Sequence, residues 1–105
     1  MELNVYDSNG LVVKTAKANL IDIKFGTIRS LMRLLKIEKL DDFDDVFETV
    51  YEAWDQLTEV LGQIFPEMNY EDWDNVPVRE LLPIVVQIMK YSFAEIMKVP
   101  HEKNV

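Results

Sequence analysis

Seven apolar residues, Phe43, Phe47, Val50, Trp54, Leu57, Leu61 and Ile64, recur at alternating steps of four and three, a rhythm that an α-helix gathers into one stripe. Three heptads are too few for an extended coiled coil, so this stripe reads as the seam of a bundle helix whose neighbours lie in the same domain. Asp41 or Asp42 can cap its start, Asp44 and Asp45 suit the positive end of its dipole, and Pro66 ends it. Phe47 and Trp54, being on the seam, are expected in the core.

The preceding residues read differently. Leu3 and Val5 alternate with polar neighbours, Asp7-Ser8-Asn9-Gly10 supplies turn chemistry, and Leu11-Val12-Val13 with Thr15 resumes a β-prone run, which predicts a hairpin. Two strands alone are marginal in water, so the hairpin must lie on something. Ile21, Ile23 and Phe25 alternate as well and allow a third short strand before Gly26. Thr27 is then a candidate cap for a helix to about Lys36, whose Arg29, Arg33 and Lys36 share one face.

After Pro66, Asn69 can cap a single helical turn carrying Tyr70 and Trp73. Pro77 opens the last element, and Pro83 implies either a kink or, as the favoured reading, a one-turn lead before a main helix reaching about Lys98. Leu82, Val86, Met89, Phe93 and Ile96 form one seam there, and Ile84, Val85, Ile88 and Tyr91 widen it almost around the cylinder. Such a helix is central in a bundle or covered by another subunit. The expected fold is α+β, mainly α. One domain over 1–105 divides into a hairpin region (1–26), a bundle of three to four helices (27–98) and a flexible tail (99–105).

Charge is distributed unevenly. Residues 38–74 hold thirteen acids against Lys39 alone, whereas residues 1–37 hold six bases against three acids, within a net charge of −8. Two blocks of opposite sign suit protein surfaces and make nucleic-acid binding an unfavourable reading. Asp44, Glu48, Glu52, Asp55 and Glu59 follow one helix face. That stripe is either solvated surface or a partner surface, and the basic face of residues 29–36 pairs with it within the domain or between copies. Cysteine is absent and the single histidine, His101, has no catalytic companion, so no enzyme, cofactor or metal site is expected. Residues 41–48 also lack the spaced ligands and turn glycine of a calcium loop. Nothing in the chain approaches the roughly 20 apolar residues of a membrane span. The start has no signal-peptide pattern, which favours a cytoplasmic protein.

The order of pieces resembles a family. The run Ile23-Lys24-Phe25-Gly26-Thr27-Ile28-Arg29-Ser30-Leu31-Met32-Arg33-Leu34-Leu35, an acidic helix closing in Gln63-Ile64-Phe65-Pro66-Glu67, and Leu82-Pro83-Ile84-Val85-Val86 with Phe93-Ala94-Glu95-Ile96 are similar to the tail assembly chaperones of long-tailed phages and prophages of Gram-positive bacteria. The resemblance spans nearly the whole chain. It implies a non-enzymatic protein of the infected host cytoplasm that holds the tape measure protein, brings tail tube subunits to it and is absent from the mature virion. Members often come in two lengths through a ribosomal frameshift, and this chain would match the short form.

From the residues themselves, apolar surface at Ile84, Ile88 and Tyr91, joined by Tyr70 and Trp73, is the expected partner site. Arg29, Arg33 and Lys36 against Glu48, Glu52 and Asp55 of a neighbouring copy is the expected self-association contact, which would repeat head to tail into a homo-oligomer. A small acidic inhibitor that mimics DNA is the alternative from another class.

Overall fold

The computed structural model describes residues 1–36 and 39–98; the tail expected at 99–105, with His101, lies outside them. The fold is α+β and mainly α: an N-terminal antiparallel hairpin followed by helices. Strands β1 (Glu2–Tyr6) and β2 (Val12–Lys17) pair Leu3 with Ala16 and Val5 with Lys14, after which the register shifts and Tyr6 faces Val12. Val13 is the extra residue of that bulge. The turn is built as its residues dictate. Asp7 Oδ1 accepts from the backbone N–H of Asn9 at 2.8 Å and of Leu11 at 2.9 Å, and Gly10 takes the left-handed φ of 80° that a side chain would resist.

The third strand does not form. Residues Leu20–Asp22 make a single 3₁₀ turn, and Phe25 is already the first residue of helix α1 (Phe25–Leu34). Side chains of later elements, in place of a third strand, meet outward groups on both edges of the hairpin. On one side the Asn4 N–H donates to Glu80 Oε1 at 3.2 Å; on the other the Lys17 N–H donates to Glu67 Oε1 at 3.3 Å, and Lys14 Nζ lies 2.7 Å from Asp72 Oδ2. Thr27 is also not the cap. It sits inside α1, buried, and its hydroxyl donates to Gln63 Oε1 at 2.8 Å, tying α1 to the helix it packs on, while Lys24 holds the extended cap position.

The long periodic helix is broken. Helix α2 (Phe43–Glu52) and helix α3 (Trp54–Ile64) share Ala53, whose ψ of 13° departs from helical geometry. Asp42 caps α2 as expected, its Oδ1 accepting from Asp44 N at 3.0 Å and Asp45 N at 3.3 Å. Past Pro66, Tyr70–Asn75 forms two turns of 3₁₀ helix in place of one, and Asp72 Oδ2 accepts from the Asn69 N–H at 2.7 Å. Helix α4 runs unbroken over Val78–Met97 with Pro83 inside it, so the expected lead turn and main helix are one element. Pro83 is on the exposed side, where water can reach the Arg79 carbonyl that loses its usual N–H donor.

The core lies where α1, α3 and α4 meet the inner face of the hairpin: Leu3, Leu31, Leu57, Leu61, Phe65, Val85, Ile88 and Met89 are at most 1 % exposed. Ser92 is equally buried and satisfies its hydroxyl on the Ile88 carbonyl at 2.8 Å. No described helix is long and apolar enough to cross a membrane.

Candidate partner-binding surface

Helix α2 buries Val46 and Val50 and turns Phe43, Phe47 and Tyr51 outward, 59 %, 41 % and 75 % exposed. The seam read through Phe43 and Phe47 is therefore displaced around the helix. Apolar residues at 43, 46, 47, 50 and 51 make a stripe wider than one helix contact can cover, and α4 meets only its aliphatic edge. The three rings step by four residues and stack along the helix, with centroids 6.0 and 6.4 Å apart and planes within 20°.

Between this ridge and α4 lies a groove with two hollows that share Val78 and Leu82. One, of about 410 Å³, is walled by Phe47, Tyr51, Trp54, Trp73 and Leu81. The other, of about 350 Å³, is walled by Phe43, Val46, Pro83 and Val86. Trp54, expected in the core, is only half-buried; it forms part of the wall and donates its indole N–H to Asp74 Oδ1 at 3.3 Å. Charge is sparse on the walls themselves, where Asp41, Asp74 and Arg79 appear, and dense beside them. Asp44, Glu48 and Glu52 run along α2 next to the aromatic ridge, again four apart and all exposed.

The partner surface expected from sequence is mostly elsewhere in the molecule. Ile84 and Ile88 are buried within the core at 8 % and 1 % exposure, and Tyr91 is half-buried. Both isoleucines lie on the inner side of α4, where α1, α2 and the hairpin meet it, while Val78, Phe93 and Met97 of the same helix stay exposed. Trp73 is 3 % exposed, packed edge-on against Phe65 with centroids 6.3 Å apart, and of that set it alone lines the groove; Tyr70 is open, at 73 %. Sequence reasoning missed Phe43, Phe47 and Tyr51 as surface. The signal for them was available in the width of the stripe, because five apolar positions in nine residues exceed what one seam holds.

The charged faces are exposed and, among the described residues, unpaired with each other. Among the described residues Arg29, Arg33, Lys36, Glu48, Glu52 and Asp55 form no ion pair; the ion pairs there are Lys14 with Asp72, Lys90 with Asp41 at 3.6 Å and Lys98 with Glu95 at 2.7 Å. Lys36 and Glu52 line the same shallow hollow without bonding. The intradomain alternative for the basic face is thus not realised. Lys14 and the Asn69 N–H hold the Asp72 carboxyl below its ordinary range, the hydrogen bond to Lys14 being the larger cause. No group of three metal-ligating side chains occurs among the described residues. Comparison with family models, with curated proteins and with solved structures finds no match, so the fold and the groove are the observations on which a functional reading rests.

Proposed function

We propose that the chain is a non-enzymatic tail assembly chaperone of a long-tailed phage or prophage, binding the tape measure protein in the host cytoplasm while tail tube subunits are added. The motifs at residues 23–35, 63–67 and 82–86 supply the resemblance. The observation that carries the reading is the groove: a folded chain keeps an aromatic ridge and two apolar hollows open to solvent beside a row of carboxylates. A protein that shields long amphipathic helices needs apolar surface for their inner faces and like-charged surface to keep the complex in solution. The same groove disfavours the DNA-mimic alternative, for which carboxylates at phosphate-like spacing suffice. Co-expression with a tape measure fragment that is insoluble alone should move it into the soluble fraction. A fragment that stays insoluble at equal expression would refute the proposal.

Self-association belongs to the same proposal. Arg29 and Arg33 of one copy meet Glu48, Glu52 or Asp55 of the next, and because the contact is heterologous it repeats beyond a dimer. Exposed pairs contribute about 0.2–1 kcal/mol each, so they govern register more than affinity. Light scattering should show assemblies that shrink in Arg29→Glu/Arg33→Glu and partly recover when Glu48 and Glu52 become Lys in the same chain. A monomer under all conditions, insensitive to both reversals, would exclude the contact.

A further inference from the structure

We propose that the groove between α2 and α4 docks one amphipathic helix of a partner protein, with large apolar anchors at i and i+4 and a row of Lys or Arg along the flank that passes α2. The inference rests on the chaperone reading in taking the partner to be helical, and adds where it sits and what it carries. The anchor spacing follows from the hollows. On α2 one is lined by Phe43 and Val46 and the other by Phe47, Val50 and Tyr51, so their centres are about five residues apart along the helix, or roughly 7 Å at 1.5 Å per residue. Two side chains on one face of an incoming helix, about one turn apart, reach both. The aromatic ridge then forms one lip, against which the apolar stripe carrying the anchors lies.

The basic flank follows from charge. Asp44, Glu48 and Glu52 continue the ridge on its solvent side with the same four-residue step, and no cation is paired with them among the described residues. A helix seated in the groove runs beside this row, where it competes with Arg29 and Arg33 of a neighbouring copy, so cations on that flank are favoured and acids repelled. A second copy fits less well. Two copies joined through this face would bring their acidic rows together, and the exposed row of α1 offers Phe25 beside Arg29 and Arg33, one apolar side chain for two hollows.

The test uses the full chain and three labelled synthetic peptides read by fluorescence anisotropy. The first carries the apolar i, i+3/i+4, i+7 row with a Lys flank, the second the same row with a Glu flank, and the third the first composition with the spacing scrambled. The Lys-flanked peptide should bind at least about tenfold more tightly than the Glu-flanked one at low salt, a gap that narrows as salt rises, and the scrambled peptide should not bind. Glu48→Lys/Glu52→Lys should invert the preference. Phe47→Ala/Tyr51→Ala should weaken both ordered peptides while leaving the circular dichroism spectrum unchanged. Equal binding of the two flanks, indifference to the aromatic substitutions, or no binding by any peptide would overturn the proposal. So would a fall in assembly size in the aromatic variant, which would make the occupant another copy. If the peptides behave as expected but no tape measure fragment is solubilised, the chaperone identity fails and the groove assignment stands. If solubilisation survives Phe47→Ala/Tyr51→Ala, the reverse holds.

Discussion

Ile88→Asp should leave the chain without a cooperative fold at room temperature. Ile88 is 1 % exposed at the middle of α4, in the same core as Leu61, Val85 and Met89, and no cation lies in that core to meet a carboxylate. An unpaired ionised group there costs several kcal/mol even after relaxation, against a total stability of roughly 5–15 kcal/mol for a domain of ordinary robustness. Ile88→Val, which removes one methylene and keeps the shape, should cost only about 0.5–1.5 kcal/mol. Thermal unfolding followed by circular dichroism separates the two. A sharp, native-like melt in Ile88→Asp would show that the side chain escapes to solvent and that α4 turns a different face inward. The comparison also decides where partner-binding variants belong: substitutions at Ile88 report on the core, those at Phe47 on the groove.

Glu80→Ala should cost the chain about 2 kcal/mol, with melting lowered by roughly 10 °C for a domain of this size. A single carboxylate holds the hairpin to α4. Oε1 accepts from the Asn4 N–H and from Asn4 Nδ2 at 3.1 Å, Oε2 accepts from the Tyr6 hydroxyl at 2.6 Å, and Arg79 lies 5.7 Å over the Tyr6 ring. The hydrogen bond to Glu80 is the first cause that raises the Tyr6 pKa above its ordinary 10.0. A raised folded-state pKa means that the fold holds the proton more tightly than the unfolded chain does. Its stabilisation is therefore complete below pH 10 and lost as pH climbs through the folded value. Glu80→Ala removes the main cause, so the gap in melting temperature between the two proteins should shrink on the alkaline side. A gap that stays constant with pH would show that Tyr6 takes no part in the tie.

The parts of this structure legible in sequence are those fixed by short-range chemistry. Asp7 to Gly10 could make little other than a turn, and Asp42 with Asp44 and Asp45 behind it announced a helix start. What failed depended on partners distant in the chain. Ile21 to Phe25 alternate as a strand would, yet the edges of the hairpin are held by Glu67 and Glu80, residues whose spatial position nothing local reveals. The break at Ala53 has no proline or glycine to mark it. For the candidate site, the rings of α2 were recognisable as apolar but not as open, because a stripe too wide for its neighbour does not say which edge will be left out. The readings at Ile84 and Ile88 failed in the opposite direction. Their helix was rightly seen as overfull, but its contacts inside the chain cover Ile84 and Ile88 and leave the surplus open at Val78, Phe93 and Met97.

The two anchors of the hairpin set the order in which the molecule can be completed. Tyr6 and Asn4 wait for Glu80, 74 and 76 residues later, and Lys14 waits for Asp72, 58 residues later. At translation rates of ~5–20 residues/s, the first strand is out in the cell for roughly 4–15 s before its fastening exists, a far longer interval than the microseconds in which a hairpin closes. During that interval Leu3 and Val5 have no floor beneath them, and the nascent chain offers a bare β-edge to whatever passes. Helix α4 is therefore the latch for β1. A stalled or truncated product lacking α4 loses that latch together with a wall of the core.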